Sequence, residues 1–259
     1  MSNTALITGA ANRIGATIAK HLALAGYAVI VHHNKSSADA HKLCEDIKNA
    51  GGRAAPIQAE LCDTMQRQSL IERAANIFGP LNVLINNASV FEPDSATTID
   101  EALWDKHFDV HAKAPIFLSR DFANQLQAKT KGNIVNIIDE RVLHDHPGYF
   151  SYNLSKSVLW TATKTLAQSL APIIRVNAIG PGPTLPHTRQ SQEQFERSVG
   201  TLPLERAASP NDIAEAVLFL LNTKSMTGQM LALDGGEHLE WRGRGGITPR
   251  NPPRPENHE

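Results

Sequence analysis

Thr4-Ala5-Leu6-Ile7-Thr8-Gly9-Ala10-Ala11-Asn12-Arg13-Ile14-Gly15 is the stretch that decides the fold. Thr4 to Thr8 is a short apolar run that stops at Gly9, the pattern of a strand buried on both faces of a parallel sheet. Ile14, Ile18 and Leu22 follow at i, i+4 spacing and mark an amphipathic helix that ends at Gly26. The turn between them is built of small residues, so its backbone can approach a ligand closely. The helix that follows points free N–H groups and the positive end of its dipole into the same space, which favours an anion.

The strand–helix alternation continues outward from this unit. Apolar runs over 27–31, 54–58, 81–85, 133–138, 174–177 and 230–233 predict six further strands, and helical patterns cover 37–50, 65–78, 100–128, 151–170 and 211–221. Strands separated by helices of this length predict one α/β domain over 1–240. Its expected form is a Rossmann-type, doubly wound parallel sheet of about seven strands with helices on both faces. The segment 241–259 departs from this pattern. From Arg242 onward it holds four prolines, three glycines and four arginines, with Ile247 its sole large apolar side chain. It lacks the apolar surface to offset its ordering entropy and is expected to be a flexible tail.

With 25 Lys+Arg against 26 Asp+Glu the net charge is −1, which argues against bulk nucleic-acid or membrane electrostatics. No apolar run approaches the roughly 18–20 residues of a membrane span. Cys44 and Cys62 are too few for a disulfide framework and lack metal-ligand spacing. The chain passes from Met1-Ser2-Asn3 almost directly into a strand, leaving no room for a signal peptide. The expectation is a cytoplasmic protein with no nucleic-acid or membrane partner.

Gly9, Asn12, Arg13, Ile14 and Gly15 thus form a candidate phosphate cradle for a dinucleotide. In such folds a carboxylate after the second strand, about 20 residues on, holds the ribose 2′-hydroxyl of NAD. Here that turn reads His32-His33-Asn34-Lys35-Ser36-Ser37, without a carboxylate. Lys35, the serines and nearby Arg13 suit a 2′-phosphate instead, so NADPH/NADP+ is the expected cofactor.

Tyr152 and Lys156 stand at i, i+4 in Tyr152-Asn153-Leu154-Ser155-Lys156 and so share one helix face. A phenol of pKa about 10 is a poor acid–base group at neutral pH, and an adjacent ammonium is expected to lower its pKa toward the working range. Tyr149 lies beside the motif but has Asn153 where the lysine would fall, so it reads as a pocket wall or surface residue.

With Asn86-Asn87-Ala88 after the fourth strand and Asn177-Ala178-Ile179-Gly180-Pro181-Gly182 after the sixth, these elements resemble the short-chain dehydrogenase/reductase family over essentially 1–240. The resemblance implies that Tyr152 donates the proton and that Lys156 binds the nicotinamide ribose. It also implies that Asn87, Ala88, Ser89, Pro181 and Gly182 line the cofactor site. His33, Asn34, Lys35 and Ser36 would take the second-strand role, and Glu60, with Leu61, the place of the family's adenine-binding aspartate.

Two departures point to the pteridine reductase branch: Arg13 where the family has glycine, and Asp139 where it has the catalytic serine. In Asn86-Asn87-Ala88-Ser89-Val90-Phe91, Phe91 matches that branch's pterin-stacking ring. The implied catalytic set is Asp139, Tyr152 and Lys156, and the implied substrate contacts are Arg13, Phe91, Asp139 and Tyr152. The implied substrate is a small pterin or folate. The chemistry agrees, because an ionised carboxylate would oppose the oxyanion of a ketone reduction, whereas a dihydropterin offers N–H donors and a ring nitrogen that must gain a proton. A carbonyl or ketoacyl reductase and a non-catalytic NADP(H)-binding sensor are the competing readings.

Three signals remain. His111, where the family commonly has a water-holding asparagine, either holds that water or is a packed, hydrogen-bonded core residue. His144-Asp145-His146 has metal-friendly residues but no distant partner, and no metal is expected. Leu154, Val158, Ala162, Leu166 and Leu170 form an apolar stripe roughly opposite Tyr152. Together with the family's tetrameric habit, the stripe predicts a homo-oligomer, a tetramer by resemblance.

Overall fold

The computed structural model describes residues 3–127, 130–144, 146–187 and 189–239. Asp145 and the tail 241–259 lie outside the described residues. Seven strands form one parallel sheet: β1 (Thr4–Ile7), β2 (Ala28–His33), β3 (Arg53–Gln58), β4 (Val83–Asn86), β5 (Gly132–Ile137), β6 (Ile174–Pro181) and β7 (Met230–Leu233). Their order is β3-β2-β1-β4-β5-β6-β7. Between them run α1 (Arg13–Leu24), α2 (Ser37–Asn49), α3 (Thr64–Phe78), α4 (Glu101–Phe108), α5 (Ala114–Gln125), α6 (Phe150–Leu170), α7 (Gln192–Val199) and α8 (Pro210–Asn222). The predicted doubly wound sheet is therefore the observed one. No helix of the described residues is long and apolar enough to cross a membrane.

Strand alternation divides the core into two halves. Ala5, Ile7, Val29, Val31, Val83, Ile85, Val135 and Ile137 face one side and pack with Ile18 and Leu22 of α1, Leu43 of α2 and Val217 of α8. Leu6, Ile30, Leu84 and Ile134 face the other, against Leu70 of α3, Phe122 of α5 and Ala167 of α6. Burial on both faces explains why the strands read as near-continuous apolar runs rather than alternating ones. The chain reverses its direction of winding at β1, which pairs with β2 on one side and β4 on the other. Ligands of such sheets bind beyond the carboxyl ends of the strands at this switch point.

Three local features differ from the sequence expectation. The helical stretch over 100–128 is broken by a wide π-type turn, Asp109–Lys113, between α4 and α5. Pro115 follows it and lacks the N–H that would bond the His111 carbonyl, which loosens the helix there. Strand β6 continues to Pro181, past the predicted end at 177. Helix α7 has no buried residue and hence no apolar stripe to reveal it, although Ser191 and Gln194 form a capping box at its start.

Gly15 sets how closely α1 approaches the sheet. A Cβ there would fall 2.6 Å from the Gly9 carbonyl oxygen, 2.6 Å from Asn87 Nδ2 and 2.8 Å from Ala10 Cα. We predict that Gly15→Ala destabilises the fold by about 1–3 kcal/mol. The check is a lower urea midpoint at unchanged m value; an unaltered midpoint would refute this close approach.

Candidate active site

The carboxyl ends of β1, β4, β5 and β6 open onto a cavity of about 600 Å³. On the β1 side, Gly9 takes φ +60° and the turn after it is braced from three directions. Asn87 Nδ2 donates to the Thr8 and Gly9 carbonyls, each at 2.9 Å. Thr8 Oγ1 accepts the N–H groups of Asn87 (2.9 Å) and Ala88 (3.0 Å). His32 Nδ1 accepts the Gly9 N–H at 3.0 Å, so its Nε2 carries the hydrogen and donates to the Ala59 carbonyl at 3.1 Å. Burial pushes the His32 pKa down to about 4, which keeps the imidazole neutral and this tautomer in place. Sequence reasoning missed His32; a polar residue ending an apolar strand was its only trace.

Gly9, Asn12, Arg13, Ile14, Gly15, Asn87, Ser89, Pro181 and Gly182 all line the cavity. Arg13, with φ 52°, reaches across the opening to the Pro186 carbonyl at 3.3 Å and the Leu185 carbonyl at 3.5 Å. His33, Asn34, Lys35, Ser36, Glu60, Leu61 and Ala88 do not line it. The first four lie at and just past the end of β2, where Asn34 Nδ2 donates to Glu60 Oε2. Glu60 Oε1 also accepts the Cys62 N–H at 3.2 Å. His33 is buried, and its Nδ1 has no hydrogen-bond partner among the described residues. Leu61 belongs to the apolar core. A backbone cradle with no room for a side chain, an orphaned imidazole nitrogen and Lys35 at the next turn fit a dinucleotide bearing an extra phosphate.

Across the cavity, α6 carries Tyr152 and Lys156, and the end of β5 leads into Asp139. The Tyr152 hydroxyl donates to Asp139 Oδ2 at 2.6 Å, and Asp139 Oδ1 accepts the Arg141 N–H at 3.1 Å. Lys156 Nζ donates to the Ile137 carbonyl at 3.0 Å. The three predicted residues are thus brought together, but the electrostatics differ from the sequence expectation. Burial, reinforced by the neighbouring Asp139 carboxylate, raises the Tyr152 pKa well above its ordinary value. Lys156 does not activate the phenol here; its own pKa is lowered to about 8 by burial. Desolvation outweighs an ammonium whose Nζ stands 5.6 Å from the phenol ring centroid.

Phe91 forms the wall beside Tyr152, with ring centroids 4.8 Å apart and planes at 82°. Tyr149 stacks on Phe91 at 4.2 Å, so the tyrosine beside the motif packs behind that wall. His187 meets Phe91 edge-on at 5.5 Å, and Arg141 lies 5.3 Å over the Phe91 ring. His111 is buried with both ring nitrogens occupied, which settles the alternative left by the sequence in favour of a hydrogen-bonded core histidine. Of the apolar stripe on α6, Leu166 and Leu170 pack into the core, whereas Leu154 and Val158 are exposed. Among the described residues, no group of three or more His, Cys, Asp or Glu could hold a metal.

A family model described as enoyl-(acyl carrier protein) reductase matches residues 9–238. The 3-oxoacyl-[acyl-carrier-protein] reductase FabG of Staphylococcus aureus is 32% identical over 244 residues, covering 92% of this chain and 99% of that protein. A short-chain type dehydrogenase/reductase of Picea abies is 31% identical, covering 90% of this chain and 91% of its own.

The chain belongs to the short-chain dehydrogenase/reductase family.

Within that oxidoreductase family, FolM alternative dihydrofolate reductase 1 from Brucella suis, solved with NADP, superposes with a TM-score of 0.90. It shares 47% identity and covers 92% of this chain and 96% of that one. The Brucella canis protein of the same name, also complexed with NADP, gives a TM-score of 0.92 at 45% identity over 95% and 97%.

One cavity residue that sequence reasoning missed is Glu140. It is buried, with Oε2 3.1 Å from His144 Nδ1 and Oε1 3.8 Å from Arg141 Nε. Burial first, then the charges of Asp139 and Glu237, raise its pKa to about 9. The folded state therefore holds this proton between about pH 4.5 and 9 while the unfolded chain releases it, so stability is lost as pH rises through that window. We predict that Glu140→Gln, which needs no such proton, is more stable than wild type at pH 8. The gap should close toward pH 5, as read by urea midpoints; a gap independent of pH would refute the assignment.

Proposed function

We propose that this protein is a cytoplasmic, NADPH-dependent reductase of a dihydropterin: dihydrobiopterin, dihydromonapterin or dihydrofolate. The observation that carries the reading is the 2.6 Å hydrogen bond from Tyr152 to Asp139, a carboxyl standing where a ketone reductase needs a neutral donor. The FolM likeness supports it, and the NADP bound in those relatives supports the cofactor.

When bound, NADPH supplies the hydride. The Gly9–Gly15 turn, Arg13 and Lys35 hold its phosphates, and Lys156 secures the nicotinamide ribose. Phe91 provides an aromatic face for a flat heterocycle. Tyr152, kept as a neutral phenol, supplies the proton that the substrate nitrogen gains. Asp139, 2.6 Å from the Tyr152 hydroxyl, is placed to relay a proton from solvent to the phenol as the phenol gives up its own, so that no buried phenolate accumulates.

The second reading is a ketoacyl reductase, favoured by the FabG likeness over 92% of the chain. The test is NADPH oxidation against the three dihydropterins and a ketoacyl thioester, repeated with NADH. Turnover is expected with dihydropterins alone. NADH should be about 10–100-fold less efficient, the worth of one or two charge-assisted hydrogen bonds. Tyr152→Phe should lower kcat by about 10²–10⁴ with NADPH affinity retained. Asp139→Ser should depress pterin reduction; unchanged pterin turnover with a gain in ketone reduction would transfer the assignment to the second reading.

The exposed Leu154 and Val158 support a homo-oligomer, expected to be a tetramer. A monomer mass by sedimentation equilibrium at working concentration would reject it.

A further inference from the structure

A second cluster of buried polar groups stands behind Tyr152. His107 and His111, four residues apart on α4 and the wide turn, face Ser151 and Ser155, four apart on α6. His107 Nδ1 lies 2.7 Å from Ser151 Oγ and His111 Nδ1 lies 2.8 Å from Ser155 Oγ. The imidazoles are parallel, 5.6 Å apart, and both meet the Tyr152 ring edge-on, at 5.9 Å and 5.1 Å.

Counting hydrogens fixes the direction of each bond. Ser155 O–H donates to the Tyr152 carbonyl at 2.7 Å, so His111 Nδ1–H must donate to Ser155 Oγ. His111 Nε2 is then an acceptor and takes the Val90 N–H at 3.0 Å, with Ser89 Oγ also at 3.0 Å. On the first rung, Ser151 O–H donates to Asp94, whose carboxylate also accepts the Ser151 N–H. Burial, then Lys156 and His107, hold the His111 pKa well below its ordinary value. The groups facing it are Tyr152, Ser155, Lys156, His107, Ser89 and Val90 N–H, and among the described residues no carboxylate is in contact. One side of this imidazole grips the helix of Tyr152, and the other grips Ser89 and Val90, in the segment after β4 immediately before Phe91.

We propose that His111 is a positioning residue that crosslinks the Tyr152 helix to the segment after β4 that carries Phe91, holding the proton donor and the substrate platform in register. The inference rests on the reading of Tyr152 as proton donor and Phe91 as platform. The role assigned to His111 is to hold: Nδ1–H donates to Ser155 Oγ and Nε2 accepts the Val90 N–H. A small displacement between platform and donor costs turnover steeply, since reduction requires both at contact distance.

The experiment compares His111→Phe, His111→Gln and Ser155→Ala with Tyr152→Phe, using dihydrobiopterin. His111→Phe keeps the ring and loses both hydrogen bonds. We expect kcat to fall about 10–100-fold and KM for the pterin to rise, at NADPH affinity unchanged within about threefold. His111→Gln, retaining a donor and an acceptor, should recover part of the loss. The pH profile of kcat should keep its shape in every His111 variant; a shifted limb would show proton transfer by His111 and overturn the proposal.

Wild-type kcat and KM in folded His111→Phe would also overturn it, as would equal losses in the Phe and Gln variants. Should His111→Phe not fold, Ser155→Ala, which deletes only a hydroxyl, carries the test. It is expected to lower kcat several-fold with the same unchanged pH profile, and wild-type kinetics would overturn the proposal. Turnover surviving Tyr152→Phe would overturn the functional reading itself, whereas its loss beside intact His111→Phe would overturn only the crosslink.

Discussion

The amide of Asn87 spends both its hydrogens on the carbonyls of Thr8 and Gly9, and Thr8 Oγ1 returns the favour to the Asn87 and Ala88 N–H groups. This reciprocal set ties the end of β4 to the end of β1 at the point where the sheet changes its direction of winding. On one side lies the turn from Gly9 to Gly15, on the other α6 with Tyr152 and Lys156 and the aromatic wall. Buried backbone groups must find partners, and here the partners come from opposite halves of the fold. The two halves of the cavity therefore keep a fixed spacing, on which every distance between cofactor cradle and Tyr152 depends.

The sheet was legible because its strands are buried on both faces, which makes Ala5-Leu6-Ile7 or Val29-Ile30-Val31 conspicuous in a single sequence. Asp139, Tyr152 and Lys156 were legible through spacing and through resemblance. The state of their protons was not, because desolvation is set by what the whole fold lays over a group. An i, i+4 lysine announced a lowered phenol pKa, and burial reversed the sign. The histidine–serine rungs left a trace, two pairs at i, i+4 separated by a strand, but the wide turn that presents His111 comes from a proline acting on a carbonyl four residues away. Glu140 offered no pattern at all, since a carboxyl next to a motif ordinarily faces solvent.

Ionisable groups buried around the cavity cost stability, and the molecule tolerates them where chemistry is performed. Lys156, Tyr152 and Glu140 are shifted toward their neutral forms, and His32, His107 and His111 are held uncharged. The histidines lose their favour as pH falls toward their folded-state values, while Glu140 loses it as pH rises.

The two-faced strands bear on how such a scaffold diversifies. Inserting one residue into β5 would exchange its core-facing sets and turn Asp139 away from Tyr152 at the same stroke, so length changes there are lethal twice over. Segments such as 88–100 and 183–187 carry no strand and feel no such parity. Innovation is channelled into these segments, and they contribute Phe91 and His187 to the cavity wall. A lineage built this way can exchange the wall of its cavity while Tyr152 and Lys156 stay still.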